Sequence, residues 1–193
     1  MSKKGTTTTC SFLEWEKAIY LVSKLEKEEN YKISLLIAIG IYTGMRISDI
    51  LSLKWSDILD KQSLTIKEQK TAKMRVITFN TDLQQIAKDA YCNMNINNVE
   101  QLVFINYRKE KAISIQYLNK QLKKAVSSAN YDIGNVSSHF LRKTFGRRVW
   151  DKNNRSDESL IKLSEVFNHS NIAITKRYLG IRQEEIADVY LSL

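Results

Sequence analysis

At 193 residues the chain has the length of one domain with room for a substantial core. Its 30 lysines and arginines outweigh 21 acids, and the formal net charge of +9 is the electrostatic footprint expected for a phosphate-rich partner such as DNA or RNA. Cys10 and Cys92 make neither a disulfide framework nor a metal set, the longest apolar run (Ile33 to Tyr42) is too short for a bilayer, and Met1 to Gly5 leads into threonines, so secreted and membrane classes are excluded and a cytoplasmic protein is expected.

The absence of proline and a count of only six glycines favour helices joined by short connections. Thr9 to Ser11 can cap a first helix carrying Phe12, Trp15, Ile19, Val22 and Leu25 at helical spacing. The charged stretch Glu26 to Lys32 separates it from an apolar helix over Ile33 to Tyr42. Gly44 suits the left-handed end of that helix, and Arg46 starts a short helix running to Leu53. Trp55 to Ile58 then leads into an alternating strand, Ser63 to Lys67. Its partner is Arg75 to Phe79, across a basic hairpin tip from Glu68 to Met74. Gln101 to Ile105 is a third strand candidate. Further helices are predicted over Asp82 to Met94, Ser114 to Ser128, Ser138 to Trp150, Asp157 to Phe167 and Ile172 to Tyr178, with a helical tail from Gln183. The expected fold is mainly α with one small antiparallel β-sheet (α+β), a single domain over 1–193.

Three clusters carry chemistry. The first is Thr43-Gly44-Met45-Arg46-Ile47-Ser48-Asp49. The second is Ser138-His139-Phe140-Leu141-Arg142, in which His139 and Arg142 share one helix face. Ser137 and Ser138 would cap that helix and leave His139 near its anion-favouring N-terminus. The third runs from Asn168-His169 to Arg177-Tyr178. Arginine can hold two phosphate oxygens at once, histidine moves protons near neutrality, and tyrosine can attack phosphorus and stay covalently attached. With a nearby lysine, the set suits attack on a phosphodiester by a phenol oxygen. Asp49, on the same short helix as Arg46, can brace it or nearby groups.

These motifs, in this order and spacing, resemble the catalytic domain of the tyrosine recombinases, the phage integrase family, from about Phe12 to the C-terminus. The resemblance implies Arg46 and Arg142 on the non-bridging oxygens, His139 as base or phosphate donor, His169 on the phosphate and Tyr178 as nucleophile. It also implies a lysine at a hairpin tip as general acid. Lys67, Lys70 and Lys73 crowd the tip here, and Lys70, in Gln69-Lys70-Thr71, matches that position best. The implied activity is site-specific recombination or integration through a 3′-phosphotyrosyl intermediate, acting on double-stranded DNA with self-association of protomers on it. A phosphotyrosine conserves the bond energy, so no metal, nucleotide or other cofactor is expected. Nothing in the chain corresponds to the N-terminal DNA-clamping domain of larger members. The tail carries Ile186, Val189, Tyr190 and Leu193 at helical spacing, for its own core or for a neighbouring protomer. The rival readings are a type IB topoisomerase-like enzyme and a non-catalytic regulator with a helix-turn-helix over Met45 to Ile58.

Overall fold

The computed structural model describes residues 11–70, 72–108 and 110–193. Cys10, Thr9 and the rest of the first ten residues lie outside them. Helix α1 spans Trp15–Lys27 and starts later than the sequence suggests, with Glu14 at its N-cap and no side-chain cap bond. Residues 11–14 are not helical because they have other partners. The Leu13 amide donates to Thr144 Oγ1 at 3.0 Å, and the Phe12 ring lies 4.5 Å from the Arg147 guanidinium carbon.

Helix α2 (Tyr31–Thr43) is buried at almost every position from Ile33 to Ile41. A helix apolar all round belongs in the middle of a core, and α2 packs against α1, α5 and α7. Gly40 lets α7 approach closely, since a Cβ there would stand 2.7 Å from Leu141 Cβ. Gly44 closes α2 in the left-handed conformation (φ 60°), as its position suggested. The chain then reverses, and Arg46 becomes the N-cap of α3 (Ile47–Leu51).

A separate short helix, α4 (Trp55–Ile58), follows, because the Asp57 carboxylate accepts from the Lys54 amide and starts a new turn. Trp55 and Ile58 are core residues. A helix of 4 residues with its large side chains buried offers no recognition face, so the helix-turn-helix reading is lost.

Strands β1 (Ser63–Lys67) and β2 (Met74–Thr78) form an antiparallel hairpin, with Lys67 opposite Met74 and Ser63 opposite Thr78. The register sets β2 one residue earlier than predicted. Helix α5 (Thr81–Asn93) is capped by Asn80. The third strand candidate shifts as well: only Ile105–Asn106 (β3) is extended, and it pairs with Lys111–Ala112 (β4) in a second two-stranded sheet. Leu102 makes only an isolated bridge to Lys54. Val103 and Phe104 are instead core pegs, 2% and 0% exposed, worth about 1.5–3 kcal/mol each when fully buried.

The remaining chain is helical: α6 (Ile115–Ser128), α7 (His139–Lys152), α8 (Asp157–Val166), α9 (Ile172–Leu179) and α10 (Ile181–Leu191). Two apolar clusters result. The larger gathers α1, α2 and the elements up to the start of α7. The smaller joins Trp150, Leu160, Leu163, Phe167, Leu179 and Ile181. Among the described residues no helix is long and apolar enough to cross a membrane.

Candidate active site

The candidate site is built around one backbone atom. Phe167 closes α8, and a helix end leaves its last carbonyls without helical partners. Arg46 Nη2 donates to the Phe167 carbonyl at 3.1 Å and Arg142 Nη2 donates to it at 3.0 Å. Two nitrogens sharing one acceptor can stand no more than roughly 6 Å apart, twice a hydrogen-bond length. The guanidiniums are therefore held side by side, although Arg46 follows α2 and Arg142 lies on α7. Arg142 Nη1 also donates to the Gly44 carbonyl, and its guanidinium carbon sits 4.2 Å over the Phe167 ring. Burial, with crowding by Arg46 and Arg75, pushes Arg142 down to about 10, which leaves it charged at neutral pH.

His139 is the first residue of α7. Of the two serines expected to cap it, Ser138 stands at the N-cap but does not cap with its side chain: it has helical dihedrals, and its amide donates to Asn119 Oδ1 at 2.9 Å. Burial, then Arg142, Lys143 and Lys70, holds the His139 pKa below the usual histidine range. His169 Nδ1 is 2.9 Å from Thr175 Oγ1, a fully buried hydroxyl, which leaves Nε2 for the cleft. Burial and the charges of Arg142, Arg46 and Lys70 bring the His169 pKa down to about 4. Both imidazoles are neutral at pH 7 and can accept a proton.

A depressed histidine pKa has a consequence for stability. The unfolded chain takes up a proton near pH 6.5 that the folded chain refuses until about 4. The His169 contribution is intact above pH 6.5 and is lost as the pH falls through that window. The wild-type melting temperature should therefore drop more between pH 7 and pH 5 than that of His169→Gln. Identical pH slopes would remove His169 as the titrating group.

Tyr178 lies in the last turn of α9. Its ring meets Phe167 and His169 edge-on, each at a centroid distance of 5.6 Å, and Lys143 Nζ is 5.5 Å from its centroid. Its hydroxyl donates to the His139 carbonyl across a long 3.5 Å. The phenol is thus aimed across the gap between α9 and the start of α7.

The hairpin supplies the remaining groups. The Glu68 side chain is fully buried and its Oε2 lies 2.6 Å from Arg46 Nη1. Glu68 Oε1 is 3.8 Å from Arg75 Nη1. Asn168 Nδ2 donates to Glu68 Oε2 at 2.8 Å. Asp49 accepts at 3.0 Å from the Gln69 amide, so it braces the hairpin, and the carboxylate against Arg46 is Glu68. Lys70 follows this clamped pair and is exposed.

Arg46, Lys70, His139, Arg142, His169 and Tyr178 all line one cleft of about 620 Å³; Lys67 and Lys73 do not. It is a cation-lined hollow with two fixed arginines, two neutral imidazoles, a phenol and an ammonium. Sequence reasoning missed Phe167, Glu68, Arg75, Asn168 and Lys143. Only Lys143, beside the His139–Arg142 pair, carried a signal there.

Comparison with known proteins places the chain in a family. The profile of the phage integrase family matches residues 12–185. A probable integrase/recombinase of Bacillus subtilis, YoeC, is 30% identical over 171 residues, which cover 89% of this chain and 87% of that protein. The tyrosine recombinase XerC of Pediococcus pentosaceus is 29% identical over 90% of this chain but only 57% of its own length. The XerH recombinase bound to palindromic difH DNA shares the fold, with a TM-score of 0.69 and 23% identity over 98% of this chain and 56% of that one. A lambda integrase dimer on a core site gives 0.65 and 18% over 93% and 50%. The chain thus spans little more than half the length of several of its relatives. With a family profile covering most of its length and a relative matched nearly end to end, this chain belongs to the phage integrase family of tyrosine recombinases.

Proposed function

We propose that the chain cleaves and rejoins double-stranded DNA in site-specific recombination, through a 3′-phosphotyrosyl intermediate. The observation that carries this reading is the convergence of Arg46, Lys70, His139, Arg142, His169 and Tyr178 on one cleft. Arg46 and Arg142 take the two non-bridging oxygens, where charge accumulates in the transition state. The Tyr178 oxygen attacks phosphorus and its proton passes to a neutral imidazole, His139 or His169. The bond to the 5′ oxygen breaks as Lys70 gives that oxygen a proton. A 5′ hydroxyl from the same or another strand reverses these steps and releases the tyrosine.

The test is single-turnover incubation with a nicked duplex carrying the site from the gene's own flanking repeats. A DNA adduct that survives SDS supports the reaction, and its absence rejects it. Joining strands from two differently labelled duplexes would separate recombination from simple relaxation of supercoils.

DNA is the partner the family relationship supports, and the net charge of +9 agrees with it. Self-association on DNA is part of the proposal, supported by α10, where Ile186, Val189 and Tyr190 share one face and are 49%, 62% and 75% exposed. Such an apolar face suits a second copy of the chain, and removing 186–193 should leave only monomers on DNA in sedimentation. A cytoplasmic location follows from the same reading. For binding, we expect micromolar, weakly selective affinity that falls steeply with salt, by about 0.9 in log affinity per phosphate neutralised for each tenfold rise in salt. Titration of labelled duplexes at several salt concentrations checks this. Tight, site-selective, salt-insensitive binding by these 193 residues would contradict it.

A further inference from the structure

Glu68 has no part in the reaction proposed above, yet it is the most thoroughly buried acid of the described chain, 1% exposed, beneath a cleft built from cations. A carboxylate is almost never buried at this depth unless it is paired. Its partners are informative. Arg46 Nη1 lies 2.6 Å away, Arg75 Nη1 3.8 Å, and Asn168 Nδ2 donates to it at 2.8 Å. Arg75 is itself fixed from the other side, where Nη2 donates to the Thr43 carbonyl at 2.6 Å. Asn168 sits in the left-handed region at φ 52°, immediately before His169. One carboxylate therefore touches the arginine that follows α2, the second strand of the hairpin and the turn that presents His169.

Arg46 has two fixed contacts. Nη2 donates to the Phe167 carbonyl, and the Glu68 carboxylate lies 2.6 Å from Nη1 as a close charge pair. Together they hold the guanidinium against the cleft that it lines. Without the charge on Glu68, Arg46 would be drawn to one anchor only and pushed by Arg75 and Arg142, the neighbouring cations. We propose that Glu68 is a positioning residue for the reaction: it holds the Arg46 guanidinium in the orientation that receives a non-bridging oxygen of the scissile phosphate. The hairpin has a separate brace in the Asp49–Gln69 bond. Losing the Glu68 charge should disturb Arg46 more than Lys70.

This inference rests on the proposed reaction, and the experiment separates the two. Glu68→Gln keeps the shape and removes the charge. At saturating duplex it should slow single-turnover adduct formation roughly tenfold or more, since a lost oxyanion contact commonly costs a hundredfold. Duplex affinity should stay the same or tighten, because an acid near the phosphate is gone. General damage to the fold would weaken both.

A scissile methylphosphonate has only one non-bridging oxygen and no charge on it, so it has little use for a well-aimed Arg46. On that substrate the gap between wild type and Glu68→Gln should shrink to about twofold. On a 5′-bridging phosphorothiolate, which bypasses the acid, the gap should persist. Equal slowing on diester and methylphosphonate, or no slowing at all, would overturn the proposal. Should Glu68→Gln fail to fold, Asn168→Ala removes one bond to the same carboxylate without stranding a charge, and it should show the same pattern at about threefold.

Binding gives a reading that needs no chemistry. With Tyr178→Phe as background, the methylphosphonate duplex should bind more weakly than the diester, and Glu68→Gln should narrow that difference, because Arg142 still meets the charged oxygens while Arg46 no longer does. An undiminished difference would count against Glu68. A wild-type chain that bound duplex but formed no adduct would reject the reaction, while this comparison would still decide the role of Glu68.

Discussion

Replacing Tyr178 by phenylalanine is expected to abolish the covalent DNA adduct while leaving folding and duplex affinity unchanged. The ring contacts of Tyr178, with Phe167 and His169 at 5.6 Å and with Lys143 at 5.5 Å, depend on the aromatic face and survive the substitution. Only the hydroxyl is lost, and its bond to the His139 carbonyl is long at 3.5 Å. A phenylalanine offers no nucleophile, so the effect on chemistry is total and the effect on stability small. The chain has nine tyrosines, and several others are accessible: Tyr107 is 59% exposed, Tyr117 49% and Tyr190 75%. None of these lines the cleft with the two arginines. The measurement is adduct yield on a nicked duplex, with binding by the same variant as control. Undiminished yield from Tyr178→Phe would move the nucleophile to one of those tyrosines.

What could be read from the sequence was what local rules control. The α2 helix announces itself by an unbroken apolar run and a glycine at its left-handed end, and these place Arg46. His139 and Arg142 share a face because three residues make nearly one helical turn. The errors come from contacts distant in the chain, which local rules do not see. Thr9 to Ser11 reads as a cap, but residues 11–14 are held by Thr144 and Arg147, more than a hundred residues away. Val103 and Phe104 have strand-like composition and are core pegs instead. Ser138 has the composition of a cap, but its amide is engaged by Asn119 on α6.

The deepest omissions in the site are those no pattern could carry. The atom that brings Arg46 and Arg142 together is the main-chain oxygen of Phe167, and every residue has one. Glu68 sits in a hairpin tip crowded with lysines, where an acid reads as solvated. Its burial comes from Arg46 and Arg75, and from Asn168 a hundred residues along the chain. Asp49, three residues on from Arg46, is expected to brace Arg46 or nearby groups, and it is the second of these that forms. The fold gives Asp49 to the Gln69 amide and gives Arg46 to the more distant Glu68.

Lys70→Ala should slow cleavage by about a hundredfold or more, the usual loss when a general acid is removed. The 5′ oxygen of DNA is a poor leaving group unless a proton reaches it as the bond to phosphorus breaks. Lys70 is the hairpin lysine that lines the cleft and the proposed donor of that proton. Glu68 and Gln69 are clamped to the arginine side of the site through Arg46 and Asp49, and the next side chain lines the cleft. Lys67 instead ends β1 opposite Met74. A duplex whose 5′-bridging oxygen is replaced by sulfur tests the assignment, because a thiolate leaves without protonation. On that substrate Lys70→Ala should recover most of the wild-type rate, whereas Tyr178→Phe, which lacks the attacking oxygen, should recover none. Rescue of Lys73→Ala but not of Lys70→Ala would shift the acid three residues along the hairpin. Slow cleavage by Lys70→Ala on both substrates would make Lys70 a phosphate contact and leave the proton to come from elsewhere.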